Sequence, residues 1–415
     1  MSWKVRRMMA AREENSMDRP FIYMDYNATT PLHPEVMRAM VEDLEVFANA
    51  SSMHEAGRRA RDRVEVARIQ VSRLVGASDP LSIYFTSGGS ESNNTVFETA
   101  RVYGPRSGRK RILTTAIEHP CVIESAKRLQ DEGFEVEFLG VDPMGRLDMS
   151  ALADALDPGR RGREVFLVSV MMANNEIGTI EDIAGVARLA KAVGARVHTD
   201  ATQAVGKIPV DVVALGVDYL TMSCHKIYGP KGIGALYVAK GAPVEALIHG
   251  GHQEKGIRAG TYNNQGIMGF GKAAELALLE LEDNSTRLEG LRERLREGIV
   301  AAVPDIHVNG HVTHHLPNTL NVSFPGAEGE AILLSLDLEG IEASTGSACA
   351  SGSLEPSHVL MATGVGPELA HGSIRFSLGR SSTEAEVDYV LEKLPPIIKR
   401  LRRFSTLRPK AACDD

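Results

Sequence analysis

Short apolar runs of the kind that form buried strands alternate with helical patterns through the middle of this chain. The predicted strands are residues 82–86, 112–115, 165–172, 196–199, 219–222 and 234–238. The first is followed by a predicted turn at 87–90 and a predicted helix over 91–102. Such alternation is typical of a largely parallel sheet covered by helices, so the middle of the chain is expected to be α/β.

The chain is longer than one hydrophobic core usually allows. Its 415 residues exceed the limit of about 250 to 300 residues at which single cores stop growing. Over 272–300 the pattern changes to a long charged helix, in which Leu288, Leu291 and Leu295 share one face. Further strands are predicted near 318–323 and 374–378. A second, smaller domain is therefore expected to begin within this helical stretch.

Composition argues against several classes of protein. A formal net charge of −8 gives no long-range attraction for a polyanion, which disfavours nucleic acid as a direct partner. The sequence has no uninterrupted apolar stretch of about 18 residues, so no membrane span is expected. Four cysteines without Cys-x-x-Cys spacing indicate neither a disulfide framework nor a thiolate zinc site, and a reducing cytoplasm is the expected location.

Four histidines near residue 310 raise the question of a metal site: His307, His311, His314 and His315. Asp305 is the only acid close to them in the sequence, and their spacing matches no familiar ligand motif. A polar loop is the favoured interpretation, and no metal is assigned.

Four polar residues follow predicted strands, namely Ser87, Asn175, Asp200 and Lys226. The carboxyl ends of parallel strands meet at one edge of a sheet, where ligands of α/β proteins bind. One cleft is therefore expected to collect these side chains.

Lys226 and Asp200 are a chemically informative pair. Pyridoxal phosphate (PLP) needs a lysine amine to hold its aldehyde as a Schiff base, and a carboxylate to keep its pyridine nitrogen protonated. Lys226 stands in a Ser-x-His-Lys motif before a Gly-Pro-Lys-Gly turn, downstream of Asp200. The pair predicts a PLP site. The alternatives are a solvated lysine, Lys231 as the reactive lysine, and an aspartate that only caps a helix.

The phosphate of such a cofactor needs hydrogen-bond donors. The Gly-Gly-Ser segment at 88–90 would bring backbone N–H groups to an anion at a helix N-terminus, although a plain tight turn would look the same. Ser223 and His225 offer further donors, and Thr261 is a weaker candidate.

Other residues are candidates for contacts with the ring or the substrate. Gln203 and Asn175 could each bind an oxygen of the cofactor. The alternative for Gln203 is an exposed position on a helix, and the alternative for Asn175 is an Asx turn. His119 could stack on the ring and move protons, or be an ordinary hydrogen-bonded histidine. Arg375 could clamp a substrate carboxylate, or form a strand-end salt bridge.

The cysteines differ in their surroundings. Cys349 lies among small residues at 343–353, which predicts a mobile, accessible thiol, with an incidental loop cysteine as the alternative. Cys121 is expected to be packed in the interior, and Cys413 to lie in a frayed tail. Cys224 neighbours the phosphate donors but has no catalytic signal of its own.

At these residues the chain closely resembles the cysteine desulfurases of the nitrogen-fixation and iron-sulfur-cluster group, which are fold-type-I PLP enzymes of the class-V aminotransferase family. The resemblance covers most of residues 20–400. It is carried by Met24-Asp25-Tyr26-Asn27-Ala28-Thr29-Thr30, Thr86-Ser87-Gly88-Gly89-Ser90-Glu91-Ser92, residues 174–178, the lysine motif, residues 344–351 and Ser373-Ile374-Arg375-Phe376-Ser377-Leu378-Gly379-Arg380. The chain departs from the common family pattern at Gly89-Ser90, where Ala-Thr is usual, and at Cys224, where glycine is usual.

The resemblance implies a fold and a set of site residues. The implied fold is α/β, a fold-type-I PLP-dependent transferase with a large, mostly parallel seven-stranded sheet domain and a smaller α+β domain. The implied cofactor contacts are Gly89, Ser90, His119, Asn175, Asp200, Gln203, Ser223, Cys224, His225, Lys226 and, from the neighbouring subunit of a homodimer, Thr261. The implied catalytic residues are Cys349, Lys226 and His119, and the implied substrate contacts are Asn175 and Arg375.

The resemblance further implies the reaction of a cysteine desulfurase. The Cys349 thiolate would attack the sulfur of L-cysteine, which releases alanine and leaves a persulfide on Cys349. That sulfur would pass to an iron-sulfur scaffold or another acceptor protein. The alternatives are a selenocysteine lyase, another PLP lyase or aminotransferase, and a noncatalytic partner in sulfur assembly.

Together these patterns predict how the chain is divided. The large PLP-binding domain is placed at 33–277, and the small domain at 21–32 plus 278–405, which carries the Cys349 loop. Residues 1–20 are expected to be a disordered leader, and residues 406–415 a flexible tail.

Overall fold

The computed structural model describes residues 20–345 and 356–404, which contain the following strands and helices. The strands are β1 (Ile22–Tyr23), β2 (Ile83–Thr86), β3 (Arg111–Thr115), β4 (Glu135–Leu139), β5 (Val165–Ser169), β6 (Arg196–Asp200), β7 (Tyr219–Ser223), β8 (Gly234–Val238), β9 (His307–Asn309), β10 (Thr319–Ser323), β11 (Ile341–Glu342) and β12 (Ser373–Ser377). The helices are α1 (Pro34–Asp43), α2 (Glu55–Leu74), α3 (Gly89–Arg106), α4 (Pro120–Asp131), α5 (Met149–Ala155), α6 (Ile183–Ala192), α7 (Val212–Leu215), α8 (Asn264–Leu279), α9 (Leu281–Ala302), α10 (Gly329–Leu338), α11 (His358–Ala362), α12 (Pro367–His371) and α13 (Glu384–Phe404). Short 3₁₀ helices cover Pro80–Ser82, Gly162–Glu164, Cys224–Lys226 and Gln253–Gly256.

Seven strands form the main sheet, in the order β2-β8-β7-β6-β5-β3-β4. The pairs from β7 through β4 are parallel, whereas β8 runs antiparallel to both β7 and β2. The predicted α/β fold with a mostly parallel seven-stranded sheet is therefore confirmed. The strands predicted over 219–222 and 234–238 are β7 and β8, which pair antiparallel. The segment that joins them is too short to contain the crossover helix that a parallel pair would need.

Side chains of the central strands alternate between two apolar clusters. Leu113 and Val168 pack on one face of the sheet, while their neighbours Ile112 and Leu167 pack on the other. The period of two along a strand requires this alternation, and helices cover both faces, so the strands are apolar throughout. The polar residues that end the strands are therefore confined to the sheet edge.

Helix α3 begins two residues earlier than the prediction. Gly89 and Ser90, expected in the turn, form its first turn, because Oε2 of Glu91 accepts the backbone N–H of Ser87 at 2.7 Å and closes the entry to the helix. A side chain of the first turn that bonds back to the preceding chain stabilises a helix start. The backbone N–H groups of residues 89 and 90 are thus helix-terminal donors.

The long helix predicted over 272–300 is two helices that meet at Glu280. The side chains of α8 pack in the cluster of the main sheet, whereas Leu288, Leu291 and Leu295 of α9 pack in a separate cluster. The shared face predicted for the three leucines is confirmed. One straight helix could not bury its apolar face in both clusters, so the break follows from packing.

The second cluster belongs to a smaller α+β unit. A three-stranded antiparallel sheet, β12-β10-β9, packs with helices α9, α10 and α13, and with Ile22 and Met24 from the start of the described chain. Strand β1 pairs with β11, which joins the N-terminal segment to this unit. This packing supports the boundaries 33–277 and 21–32 plus 278–405, which stay a prediction. Within residues 20–345 and 356–404, no helix is long and apolar enough to cross a membrane.

Candidate active site

Asp200 and Lys226 lie at the carboxyl ends of neighbouring strands. Asp200 is the last residue of β6, and Lys226 closes the short 3₁₀ turn that follows β7. The two strands are paired in parallel, with Asp200 opposite Thr221. The expectation that one sheet edge collects these residues is met by this topology.

The Lys226 amine points at the turn formed by Asn27 and Ala28. Its Nζ donates to the backbone oxygen of Asn27 at 2.5 Å and to that of Ala28 at 2.7 Å. The Asn27-Ala28 turn comes from the N-terminal segment, so residues about 200 positions apart in sequence meet here. An amine held by two carbonyl oxygens has a defined position from which to bind an aldehyde.

Both oxygens of Asp200 are held in place. Oδ2 accepts from the Nδ2 of Asn93 at 2.7 Å, and Oδ1 accepts from the backbone N–H of Thr202 at 2.9 Å. His198 is fully buried on the same strand, and burial lowers its pKa to about 4, so its ring is neutral near pH 7. A fixed, buried carboxylate suits the protonated nitrogen of a pyridine ring.

His119 caps helix α4 at the same edge of the sheet. Its Nδ1 accepts the backbone N–H of Cys121 at 3.2 Å, which leaves the ring proton of the neutral form on Nε2. Burial lowers the pKa of His119 below its usual value. A neutral imidazole with a defined tautomer can stack on a ring and exchange protons at Nε2.

Cys121 is partly buried against an apolar cluster of the core, in line with the predicted packing, and its thiol also lies at the wall of this site. Its Sγ lies 3.0 Å from Nδ1 of His119 and 3.1 Å from Nδ2 of Asn93, and the residue is only half-buried. The first turn of a helix that starts at a strand end faces the same edge as the strand end itself, which places the thiol here. Burial raises the pKa of Cys121 to about 12, which keeps it a neutral thiol.

The N-terminus of α3 forms a cradle with Thr202 and Ser223. A Cβ added to Gly89 would lie 3.1 Å from Oγ1 of Thr202 and 3.8 Å from Cβ of Ser223. The Thr202 Oγ1 is buried and has no hydrogen-bond partner among the described residues. Helix-terminal N–H groups and unsatisfied hydroxyls are the donors that a phosphate needs, so these residues fit the phosphate group of PLP.

Three further candidates differ in how they reach the site. Nδ1 of His225 lies 3.1 Å from Oγ1 of Thr29, and burial, aided by the charge of Lys226, lowers the pKa of His225 to about 4. The Cys224 side chain is fully buried in the core cluster of the sheet, so only its backbone can face a cofactor. Thr261 is exposed on the loop before α8.

Gln203 is part of a network centred on Asn27. Its Nε2 donates to the backbone oxygen of Asn27 at 2.9 Å, and its Oε1 accepts from Nζ of Lys207 at 2.5 Å. Gln203 is 5% exposed, which removes the alternative of an exposed helix residue.

Arg375 is buried with an acid beside it. Its Nη2 lies 2.6 Å from Oδ1 of Asp25, and its Nη1 donates to the backbone oxygen of Asn175 at 3.1 Å. The Nε of Arg375 is buried without a partner among the described residues. The salt-bridge alternative and the clamp are compatible, because a guanidinium has five N–H donors and keeps several for a second carboxylate.

Cys349 itself lies outside the described residues, but the described residues on either side of its segment contact this site. The backbone of Ser344 pairs with that of Arg375, at N–O distances of 3.2 and 2.7 Å. The Ser357 hydroxyl donates to Oε2 of Glu176 at 2.5 Å. One described flank of the segment 346–355 is therefore fixed at Arg375, and the other at Glu176, the residue after Asn175. Residues 1–19, 405–415 and Cys413 also lie outside the described residues.

Glu118 is fully buried behind His119 and predicts a pH effect on stability. Oε1 accepts from Oγ1 of Thr115 and from the backbone N–H of Met171, whereas Oε2 has no partner among the described residues. Burial raises its pKa from 4.5 to about 8. Between those values the folded state retains a proton that the unfolded state releases, so stability falls as pH rises towards 8.

The Glu118→Gln variant is expected to lose this pH dependence, because a neutral amide keeps both accepted bonds without a charge to bury. Above pH 8 it should unfold with a free energy larger than that of the wild type by about 1 kcal/mol or more. Denaturant titrations of both proteins at pH 5, 7 and 9 measure the difference. Parallel pH profiles for the two proteins would contradict the role given to Glu118.

One group of acids and a histidine resembles a metal site. Glu289, Glu293 and His315 place one ligand atom each within 4.8 Å of one another. The Arg292 guanidinium pairs with both carboxylates, which supplies the positive charge that a cation would bring. We assign no metal to this group.

Comparison with known proteins shows the class to which this fold and site belong. The aminotransferase class-V family model matches residues 22–390. Enzymes of this family are PLP-dependent, in agreement with the donors and the carboxylate described above. The chain therefore belongs to the class-V aminotransferase family.

Within that family the chain belongs with the cysteine desulfurases. It is 49% identical to the cysteine desulfurase IscS of Dictyoglomus turgidum over 92% of this chain and 96% of that protein. It is 46% identical to the enzyme of the same name from Methanosarcina thermophila, over 96% and 97% of the two chains. The solved structure of a NifS-like protein superposes with a TM-score of 0.85 at 39% identity, covering 92% of this chain and all of that one. The resemblance stated from the motifs is confirmed.

Several residues at this site were not singled out from the sequence, namely Asn27, Asn93, Thr202 and Lys207, and Cys121 was noted only for its packing. Asn27 stands in a motif that was quoted, and Thr202, two positions after Asp200, could have been noted as a polar residue at a strand end. Asn93 is one helical turn after Gly89, on the face of α3 that the N-terminus presents to the sheet edge. Lys207 follows Gln203 by four positions and carries no motif of its own.

Proposed function

We propose that this protein is a PLP-dependent cysteine desulfurase, which removes sulfur from L-cysteine, releases L-alanine and leaves a persulfide on Cys349. The observation that carries the proposal is the meeting of Lys226, Asp200 and His119 at one sheet edge, in a chain that matches cysteine desulfurases over nearly its whole length. The described flanks of the Cys349 segment are bonded to Arg375 and to Glu176, which supports the assignment of a substrate site there.

The proposed roles follow from the contacts. PLP, when bound, supplies an electron sink for the carbons of the amino acid. Lys226 binds the cofactor aldehyde from its position at the Asn27-Ala28 turn, and Asp200 holds the proton of the ring nitrogen. His119 stacks on the ring and moves a proton at Nε2. Arg375 binds the substrate carboxylate, with the backbone of Asn175 holding its guanidinium.

Phosphate binding is assigned to the cradle at α3. The backbone N–H groups of Gly89 and Ser90, the hydroxyls of Thr202 and Ser223, and His225 supply its donors. The side chains of Gln203 and Asn175 contact oxygens of the cofactor, and Cys224 contributes only its backbone. Thr261 is assigned to the site of a neighbouring subunit.

The transfer of sulfur from cysteine to Cys349 requires no external oxidant. The thiolate of Cys349 attacks the sulfur of cysteine, so that an S–S bond forms as the C–S bond breaks. The electron pair of the C–S bond stays on the carbon, which takes a proton and becomes the methyl group of alanine. An unshifted thiol is only a few per cent ionised near pH 7, so the proton of Cys349 must pass to a base during the attack.

A homodimer is part of the proposal. Large apolar side chains are exposed on and after helix α1, namely Met37, Val41, Leu44, Phe47 and Met53. Phe47 and Met53 are each 88% exposed, and large exposed apolar side chains grouped in one stretch of the chain are what a protein interface would cover. The Nδ2 of Asn264 donates to the backbone oxygen of Ala48 at 3.2 Å, which links this surface to the loop that carries Thr261. A second copy of the chain docked there would bring Thr261 to its neighbour.

The destination of the sulfur is proposed on the resemblance alone. An iron-sulfur scaffold or another sulfur-acceptor protein would receive the persulfide, and the reaction would take place in the cytoplasm. The names of the relatives describe the sulfur-releasing reaction and leave the acceptor open.

Product analysis tests the proposed function. Purified protein loaded with PLP and incubated with L-cysteine should produce alanine and a protein persulfide in equal amounts in the first turnover. Selenocysteine and a keto acid are offered in parallel incubations. Exchange of the amino group with the keto acid, without release of sulfur, would replace the proposal by transamination, and exclusive use of selenocysteine would replace it by a selenocysteine lyase.

Arg375→Lys predicts a change in substrate binding. Lysine keeps the positive charge beside Asp25 but lacks the two-pronged geometry of the guanidinium. The KM for cysteine should rise by about tenfold or more, with a smaller fall in kcat. Steady-state kinetics with cysteine measure both. A KM within error of the wild type would remove Arg375 from the substrate site.

A further inference from the structure

A second lysine, Lys207, reaches the site from behind Gln203. Its Nζ donates to Oε1 of Gln203 at 2.5 Å and to Oδ1 of Asn27 at 3.0 Å. Both partners are neutral amides, and burial, together with the charges of Lys226 and Arg375, lowers the pKa of Lys207 well below its usual value. An amine kept in the interior at such a cost is expected to do something that an apolar side chain cannot.

The orientation of the Gln203 side-chain amide is determined by its hydrogen-bond partners. Its oxygen and its nitrogen are nearly equal in size, so the shape of a cavity alone does not tell the two orientations apart. In the flipped orientation, Nε2 would meet the donating amine of Lys207, and Oε1 would meet the backbone oxygen of Asn27. Both contacts would be repulsive, so Lys207 and Asn27 together select the orientation in which Nε2 faces Asn27.

Lys207 also contacts the side chain of Asn27. The Oδ1 of Asn27 accepts from Lys207 and from Nδ2 of Asn318 at 3.1 Å, while its Nδ2 donates to Oγ1 of Thr319 at 2.8 Å. The backbone oxygen of the same residue accepts from Lys226. The side chain of Asn27 therefore fixes the turn against which the reactive lysine rests, and Lys207 is one of the groups that hold it.

We propose that Lys207 is a positioning residue of the cofactor site, which orients the amide of Gln203 so that it presents an N–H to the cofactor and holds the Asn27-Ala28 turn beside Lys226. This inference rests on the proposed function, because it assigns the ring of PLP to the space in front of Gln203. Gln203 has one amide hydrogen engaged with Asn27 and a second that a ring oxygen can accept.

The orientation has a consequence that can be measured by spectroscopy. An N–H donor beside the ring oxygen stabilises negative charge there, which favours loss of the proton from the linkage between Lys226 and the cofactor. A flipped amide would present an oxygen and have the opposite effect. Removal of the Lys207 amine should therefore raise the pH at which the visible absorption of the bound cofactor changes.

The test replaces Lys207 by methionine, which has a similar length and no donor. In the PLP-loaded Lys207→Met protein the midpoint of the absorption change should move up by about one pH unit. Lys191→Met is the matched control, since Lys191 is exposed on helix α6 and should leave the midpoint in place. Thermal unfolding establishes that each variant folds, and if Lys207→Met does not, Lys207→Gln carries the same comparison because it retains a donor and predicts a smaller shift.

A double-mutant cycle shows whether Lys207 acts through Gln203. In a Gln203→Leu background there is no amide to orient, so the shift caused by Lys207→Met should shrink by at least half. A shift of full size in that background, or no shift in the single variant, would overturn the inference. Absence of any cofactor absorption in the wild type would instead overturn the proposed function, so the two failures are distinguishable.

Discussion

Replacing Lys226 by alanine is expected to abolish covalent binding of PLP and to lower the rate of alanine formation by about a thousandfold or more. The methyl group of alanine offers no amine to the aldehyde and none to move protons near the substrate. The carbonyl oxygens of Asn27 and Ala28 each lose the hydrogen bond donated by Lys226, at a cost of about 1 to 3 kcal/mol apiece, so thermal unfolding must establish that the variant folds. Borohydride reduction of the loaded protein, followed by peptide mapping, measures the loss directly.

Two variants serve as controls for Lys226. Lys226→Arg keeps a positive donor next to the same carbonyl oxygens but cannot form the linkage, so it separates covalent chemistry from charge. Lys231→Ala tests the competing lysine, which is exposed five positions further on, and should retain the linkage. A reducible adduct that remains in Lys226→Ala and is lost in Lys231→Ala would move the reactive amine to Lys231.

The Cys349→Ser variant should lose the persulfide and lower alanine formation by about a hundredfold or more, while the absorption of bound PLP remains. Serine is similar in size, but its hydroxyl does not ionise near neutral pH, so it cannot replace a thiolate that attacks sulfur. Mass spectrometry after a single turnover with cysteine detects the added sulfur on the wild-type protein and its absence from the variant.

The other cysteines make this prediction specific. Cys413→Ser should behave as the wild type, since Cys413 is expected in the C-terminal tail. Cys121 is the competitor, because its Sγ lies 3.0 Å from Nδ1 of His119. Burial raises the pKa of Cys121 to about 12, so it should stay protonated and collect no sulfur. A persulfide on Cys121, with alanine formation intact in Cys349→Ser, would assign the nucleophile to Cys121.

The position of the site at one edge of the sheet could be predicted from the sequence wherever a polar residue follows a predicted strand. Lys226 and Asp200 follow short runs that were predicted to be buried strands and that form β7 and β6, and the carboxyl ends of neighbouring parallel strands lie at one edge of a sheet. The strand pattern was therefore sufficient to predict that both residues lie at one edge of the sheet. The same reasoning placed Ser87 and Asn175 at that edge.

Other parts of the site depended on contacts between distant segments. Asn27 forms hydrogen bonds with Gln203 and Thr319, which are 176 and 292 residues away in the sequence. No local sequence pattern predicts either contact. Cys121 packs against the core as its apolar neighbours suggested, but its contact with His119 was not foreseen, because it depends on how α4 starts. The break at Glu280 was missed for a related reason, since helical periodicity continues through a bend that only the two cores require.

The sequence by itself determined the alternation of strands and helices, the candidate lysine with its acid and the family to which the chain belongs. Those features depend on residue type and on spacing along one segment, which periodicity and bond chemistry can constrain. Only the tertiary structure decided which side chains hold Lys226, Gln203 and Asp200 in place. Such contacts form between segments far apart in the chain, where the packing of the whole core, and not the local sequence, sets the distances.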